Sequence, residues 1–250
     1  MIIFDSPNKR KRKGAISILV IHYTEIDFAT TKKVFLDPAY EVSAHLVIDQ
    51  DGTIYRFVQD HDAAYHAGNS HWGGLEGVND YSIGIELVHP GFSQAQGIKI
   101  KGDEHLWIPY DGRQIDALIQ TCKDYSAQYN IAPENIVGHS DIAPWRYDKT
   151  ETPYPAKRDP GPLFPWRHLY NQGIGRWYTW SLEAPAIHSI QSALSQLGYR
   201  VSDDPKTIDL TLKAFQMHYR PQDITGIPDQ ETLSIMAAIL SGETSHTSPG

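Results

Sequence analysis

At 250 residues the chain is long enough to bury a full core without external staples, and its single cysteine, Cys122, excludes both an intramolecular disulfide and a cysteine-based structural zinc site. A formal net charge of −8, with acidic residues scattered evenly, argues against a nucleic-acid partner, which normally requires a basic face. No stretch approaches the ~20 apolar residues of a spanning helix, so no membrane span is expected.

Met1 to Pro7 lacks the apolar core of an export signal. The chain is therefore expected to act in the cytoplasm or to leave by another route, unless it has been trimmed and given a new start. The basic run Lys9 to Lys13 reads as a solvated N-terminal arm. Ile16 to Tyr23 is a strand candidate whose apolar run Ile18-Leu19-Val20-Ile21 marks it as buried, with His22 at its end. A short helix is expected over Thr31 to Leu36. Strands His45 to Asp49 and Thr53 to Val58 flank Gln50-Asp51-Gly52, an Asp-Gly turn that predicts a hairpin. Ser82 to Val88 and Asn135 to Gly138 are further strands. Between them Ile115, Leu118, Ile119, Cys122, Tyr125 and Tyr129 recur at the spacing of an amphipathic helix laid on a sheet.

These elements predict an α/β domain over residues 1–170, a mixed central sheet flanked by helices. Pro160 to Pro185, rich in Pro, Gly and Trp, reads as an ordered stretch wrapping that domain, with residues 171–184 as the connector proper. The pattern then turns wholly helical, with stripes at Ile187, Ile190, Leu194 and Leu197, at Ile208, Leu212 and Phe215, and at Leu233, Met236, Ala237 and Leu240. Gly198 stands where a helix would end, and Pro205 and Pro228 where helices would begin. A small all-α three-helix domain is expected over 185–242, followed by a disordered tail, 243–250.

Two segments carry the chemistry. Gly138-His139-Ser140-Asp141-Ile142-Ala143-Pro144 and Lys157-Arg158-Asp159-Pro160-Gly161-Pro162 supply an imidazole, a carboxylate and an ammonium that could converge, with His22, on one metal ion. Two histidines and a carboxylate leave a fourth position open for water, the ligand count of a catalytic zinc. Taken singly, His22 and His139 equally fit ordinary satisfied histidines, and the Pro-Gly-Pro stretch after Asp159 an ordinary stiff turn. Glu86 is harder to assign to structure. Alternation puts Gly84, Glu86 and Val88 on one face of an otherwise apolar strand, where a carboxylate is costly unless paired or employed. Beside a metal it would serve as a general base, and Lys157 would be placed to stabilise an oxyanion.

Six blocks, in order, resemble the zinc-dependent N-acetylmuramoyl-L-alanine amidases of the AmiD and AmpD type. They are Val20-Ile21-His22-Tyr23-Thr24, Ser43-Ala44-His45, His66-Ala67-Gly68, Asn79 to Glu86, Gly138 to Pro144 and Asp159-Pro160-Gly161-Pro162. Ala214 to Pro221 resembles the end of the peptidoglycan-binding helical module that follows the catalytic domain in the AmiD-like branch. The resemblance implies one zinc ion held by His22, His139 and Asp159, Glu86 as general base and Lys157 as oxyanion stabiliser. The expected substrate is peptidoglycan or a muropeptide, cut between N-acetylmuramic acid and L-alanine. A location in the cell envelope or periplasm is expected for that branch. In some phage members a catalytic tyrosine stands where this chain has Ala44, consistent with Glu86 serving here. His45 and His66 are expected to be structural or substrate-contacting, and Asn79 to shape the loop before the catalytic strand. The alternative is a non-catalytic binder of peptidoglycan fragments, but the full set of ligands and auxiliary residues favours an enzyme.

One departure stands out. The second histidine and the aspartate are usually ten residues apart in the family, whereas His139 and Asp159 are twenty apart because of an insertion around Trp145 to Ala156. Asp148 lies nearer the usual spacing, yet it lacks the following Pro-Gly-Pro and the lysine two positions earlier, so Asp159 is the expected ligand. The insertion, with Trp145, Tyr147 and Tyr154, is expected at the groove rim. The helical module is expected to aid attachment to the wall, the alternative being that it packs on the catalytic domain and completes its core.

Overall fold

The computed structural model describes residues 1–179 and 186–242. The expected tail 243–250 and residues 180–184 of the expected connector lie outside the described residues.

Six strands form the central sheet: β1 (Ile2–Ile3), β2 (Ile18–Tyr23), β3 (Leu46–Ile48), β4 (Ile54–Arg56), β5 (Ser82–Leu87) and β6 (Ile136–Gly138). Their spatial order is β1-β4-β3-β5-β2-β6, with only the β3–β4 hairpin antiparallel. Strand β2 is buried along its whole length, as a central parallel strand covered on both faces must be. Each of its fully buried Leu, Val and Ile side chains contributes about 1.5–3 kcal/mol relative to exposure. Helix α2 (Gly112–Tyr129) lays Ile115, Leu118, Ile119, Cys122 and Tyr125 on the sheet, starting from an Asp111 cap and ending at Asn130 in the left-handed conformation. Helix α1 (Phe28–Leu36) covers a smaller cluster of Phe35, Ala44, Val47, Phe57 and Val88.

The helices that follow are α3 (His139–Ile142), α4 (Trp166–Asn171), α5 (Ile190–Gln196), α6 (Pro205–Tyr219) and α7 (Gln230–Leu240). The stretch after Pro160, aperiodic in sequence, thus contains a short helix. The last three begin at caps Ser189, Asp204 and Asp229, and Gly198 follows α5 at φ +105°, a value that disfavours any side chain. One apolar cluster runs without a break from the sheet through Phe164, Trp166 and Leu169 to Leu194, Phe215 and Ile235. The helical module therefore packs on the sheet domain and shares its core. Among the described residues no helix is long and apolar enough to cross a membrane.

The expected solvated arm at Lys9 to Lys13 is corrected. Lys9–Lys11 pairs antiparallel with Asp62–Ala64, and alternation turns Arg10 and Arg12 inward while Lys11 and Lys13 face water. Arg10 makes a forked ion pair with Asp80, and the Arg12 guanidinium donates to the carbonyls of Asp60, Asp62, Asn79 and Ser82. A basic run that alternates can be half structural, which its composition conceals.

Candidate active site

Strands β2, β5 and β6 are parallel neighbours, so their carboxyl ends open at one edge of the sheet, where ligands collect in open α/β folds. His22 and Glu86 are register partners across β2 and β5, which puts both side chains on one face. His139 begins α3 directly after β6. Asp159 arrives from the far side of the insertion, and its carbonyl accepts the Ser140 N–H at 2.8 Å, tying it to the turn that carries His139. Gly138 permits this approach, because a Cβ there would lie 2.5 Å from Pro160 Cδ.

Three ligand atoms converge. His22 Nδ1 lies 2.9 Å from His139 Nδ1 and 2.9 Å from Asp159 Oδ2, and the His139–Asp159 distance is 3.0 Å. Atoms this close can all reach one ion at the ~2.0–2.2 Å of a zinc bond, and three protein donors leave the set open to water. The opposite faces of the imidazoles fit the same purpose. Ser82 donates to the Val78 carbonyl at 2.7 Å and so accepts from His66 Nε2 at 3.1 Å. His66 Nδ1 is then free to accept from His22 Nε2 at 3.0 Å. His139 Nε2 donates to the Ala67 carbonyl at 3.3 Å. Both histidines thus hold their proton on Nε2 and present the Nδ1 lone pair, the arrangement that outer partners impose on imidazoles able to bind a metal. Burial, aided by His139, holds the His22 imidazole down at about 4, so it is neutral near pH 7.

Glu86 faces the same cavity, of about 240 Å³, which His22, His66, His139, Lys157 and Asp159 also line. Its Oε2 is buried without a hydrogen-bond partner among the described residues, and burial, with Asp159 nearby, pushes its carboxyl well above the usual range. An orphaned carboxylate oxygen is expensive in a structural role and useful in a proton-transferring one. Lys157 lines this cavity and also a neighbouring one of about 310 Å³, walled by Pro144, Pro155, Leu210 and Met217. It forms no ion pair among the described residues.

The remaining sequence candidates are placed differently. His45 is completely buried, accepting from the Gly84 N–H at 3.0 Å and donating from Nε2 to the Asp62 carbonyl at 3.1 Å. It does not line the cavity. Asn79 accepts the N–H groups of His66 and Ala67 at 3.1 and 2.7 Å and fixes the loop that carries His66. His66 reaches the site by lying on Gly84, where a Cβ would approach its ring to 2.4 Å. Asp148 sits at the exposed tip of the hairpin Trp145–Tyr147/Pro153–Pro155, where it accepts from Thr150 and Thr152. It is far from any ligand role. Trp145 is not at a groove rim: its Nε1 donates to Thr211 Oγ1 of α6 at 3.1 Å. Arg12, which reaches to 2.9 Å of His45 Nε2, was missed by the sequence reading, and only the inward alternation of the basic run signals it.

Comparisons with known proteins identify the family. The family model of N-acetylmuramoyl-L-alanine amidase matches residues 12–162, and that of a peptidoglycan-binding domain matches 183–236. The chain is 38% identical to the N-acetylmuramoyl-L-alanine amidase AmiD of Escherichia coli over 245 residues, spanning 90% of this chain and 82% of that one. The solved complex of E. coli AmiD with anhydro-N-acetylmuramic acid-L-Ala-D-gamma-Glu-L-Lys superimposes with a TM-score of 0.77 at 35% identity, covering 92% and 90% of the two chains. AmpDh3 from Pseudomonas aeruginosa gives 0.77 at 32% identity, covering 92% and 93%. With the model of its catalytic domain matched across 151 residues and a relative this similar over most of both chains, the chain belongs to the N-acetylmuramoyl-L-alanine amidase family.

Proposed function

We propose that this amidase cleaves the bond between the lactyl carbonyl of N-acetylmuramic acid and the nitrogen of L-alanine, in peptidoglycan or its fragments, with a zinc ion held by His22, His139 and Asp159. The observation that carries the assignment is the pair of Nε2 bonds, from His22 to His66 and from His139 to the Ala67 carbonyl, which aim both Nδ1 lone pairs at the Asp159 oxygen. A zinc ion there supplies a Lewis acid that polarises the carbonyl and lowers the pKa of water. The raised, unpartnered Glu86 carboxylate takes a proton from the attacking water as its oxygen bonds to the lactyl carbon. The Lys157 ammonium, on the same cavity wall, offsets the negative charge that develops on the carbonyl oxygen. Glu86 then returns the proton to the alanine nitrogen as the C–N bond breaks, leaving a muramic carboxylate and a free peptide amine.

Envelope peptidoglycan, or fragments released from it, is the substrate this reading requires. Residues 185–242 act as its helical domain and 1–170 as its catalytic one, the module adding wall attachment to the packing described above. The test is mass spectrometry of a muramoyl-tripeptide incubated with the chain, with and without a chelator, beside Glu86→Gln. Free tripeptide is expected from the untreated chain only. Removing the general base should lower turnover about 10²–10⁴-fold. Full turnover by the Glu86 variant would sink its role, and turnover indifferent to chelation would sink the metal.

A further inference from the structure

The turn that carries His139 is held from outside the sheet domain. Asp141, two residues beyond His139 on the single-turn helix α3, is completely buried, and three donors converge on its carboxylate. Its own Gly138 N–H reaches Oδ2 at 2.8 Å. The other two come from the helical module: the Tyr199 hydroxyl to Oδ1 at 2.7 Å and His218 Nδ1 to Oδ2 at 2.8 Å. Tyr199 follows α5 and is 2% exposed, and His218 lies in the last turn of α6 at 4%. Neither donor is loosely held. The Trp166 ring stacks on His218 at 3.9 Å, and Trp72 meets Tyr199 edge-on at 5.1 Å.

We infer that Tyr199 and His218 are positioning residues for the metal centre: through Asp141 the helical module fixes the orientation of α3, and with it the ligand His139. A one-turn helix has too few internal bonds to define its own axis, so an anchor on its third residue sets where its first residue points. Ser140 lies between them and donates to the Asp159 carbonyl, so the same clamp fixes the distance between two of the three ligands. Bonds to a buried carboxylate are stronger than neutral ones such as Trp145–Thr211, and, unlike the Lys101–Asp223 ion pair that also joins the two parts, they fall on the turn that carries His139. The module is thereby part of the metal centre's scaffold, whatever it adds by binding the wall.

The inference rests on the metal assignment, and the experiment separates the two. Zinc affinity is measured by chelator competition on the full chain, alongside thermal midpoint, kcat and KM, for Tyr199→Phe, His218→Ala, His218→Asn and Thr211→Val. Tyr199→Phe removes one hydroxyl, and His218→Asn restores a donor at the Nδ1 position. Tyr199→Phe and His218→Ala are expected to weaken zinc binding by about tenfold, the low end of the cost of outer-shell changes. Excess zinc should restore kcat with KM unchanged, and His218→Asn should recover most of the affinity. Thr211→Val, which cuts the module's neutral bond to the hairpin, should lower the thermal midpoint and leave zinc affinity alone. Wild-type zinc affinity in both Tyr199→Phe and His218→Ala, or an equal loss in Thr211→Val, would overturn the clamp and leave the metal standing. A wild-type chain that takes up no zinc would overturn the metal assignment and the clamp with it.

Discussion

The centre is built in two layers from the same residue types, and the layers differ in where their lone pairs and protons go. In the layer facing the cavity, His22, His139 and Asp159 turn atoms toward one another that no other group among the described residues satisfies, and Glu86 Oε2 has no partner among them. One layer down, His45, Asp141 and Arg12 meet backbone and side-chain partners on every side used, and His66 bridges the layers. Burial does not separate the histidines of the two layers: His22 is 1% exposed and His45 0%. What distinguishes them is the bonding that the protein leaves undone. Unsatisfied polar atoms are costly in a core, and a cluster of them on one wall marks the place where an ion and a substrate complete the set.

The sharpest way to break that contrast is to compare an aspartate within the insertion, Asp148, with the one just beyond it, Asp159. Asp159→Ala removes a third of the donor set, and zinc content and turnover should fall to background. Asp148→Ala removes only bonds within an exposed hairpin tip, and both quantities should stay within twofold of wild type. Metal analysis and the muropeptide assay on the two variants decide it. Loss in the Asp148 variant with retention in the other would move the ligand to the position nearer the family's usual spacing.

A smaller effect tests the bridge. His66→Phe keeps a ring on Gly84 but deletes the acceptor for His22 Nε2, so His22 can hold its proton on either nitrogen. Zinc affinity should fall about 10–100-fold while the thermal midpoint of the metal-free chain changes little. Unchanged affinity would mean that the tautomer of His22 is set by the metal alone.

How much of this was visible in the chain follows from the range of each interaction. His22 and Glu86 were legible because each sits at the end of a short apolar strand whose alternation fixes its face, and His139 and Asp159 because neighbouring glycines and prolines mark their turns. The helices were legible from their stripes and caps. Asp141, Tyr199 and His218 were not, since their roles depend on contacts between residues 58 and 77 positions apart, as at Asp141–Tyr199 and Asp141–His218. No local period encodes such pairings. The insertion shows the same limit: its aromatic residues suggested a rim, and only the packing of Trp145 on Thr211 reveals that it also joins the two parts of the chain.

The gentlest probe is pH, read at His45 of the supporting layer. Burial, reinforced by Arg12, holds His45 down at about 3, against ~6.5 for an exposed histidine. Between those values the unfolded chain binds a proton at this position and the native chain does not, so stability falls as pH drops from about 6.5 toward 3. The loss is about 1.4 kcal/mol per pH unit for one such histidine. Urea unfolding of the wild type and of His45→Asn at pH 7, 6 and 5 isolates the contribution, because Asn can still accept the Gly84 N–H but has nothing to titrate. The wild-type stability should fall more steeply on acidification by about that amount, while the variant starts lower at pH 7 for want of the bond to Asp62. Parallel pH profiles would show that His45 is protonated in the native chain. The supporting layer would then carry a charged imidazole beside the half-buried Arg12.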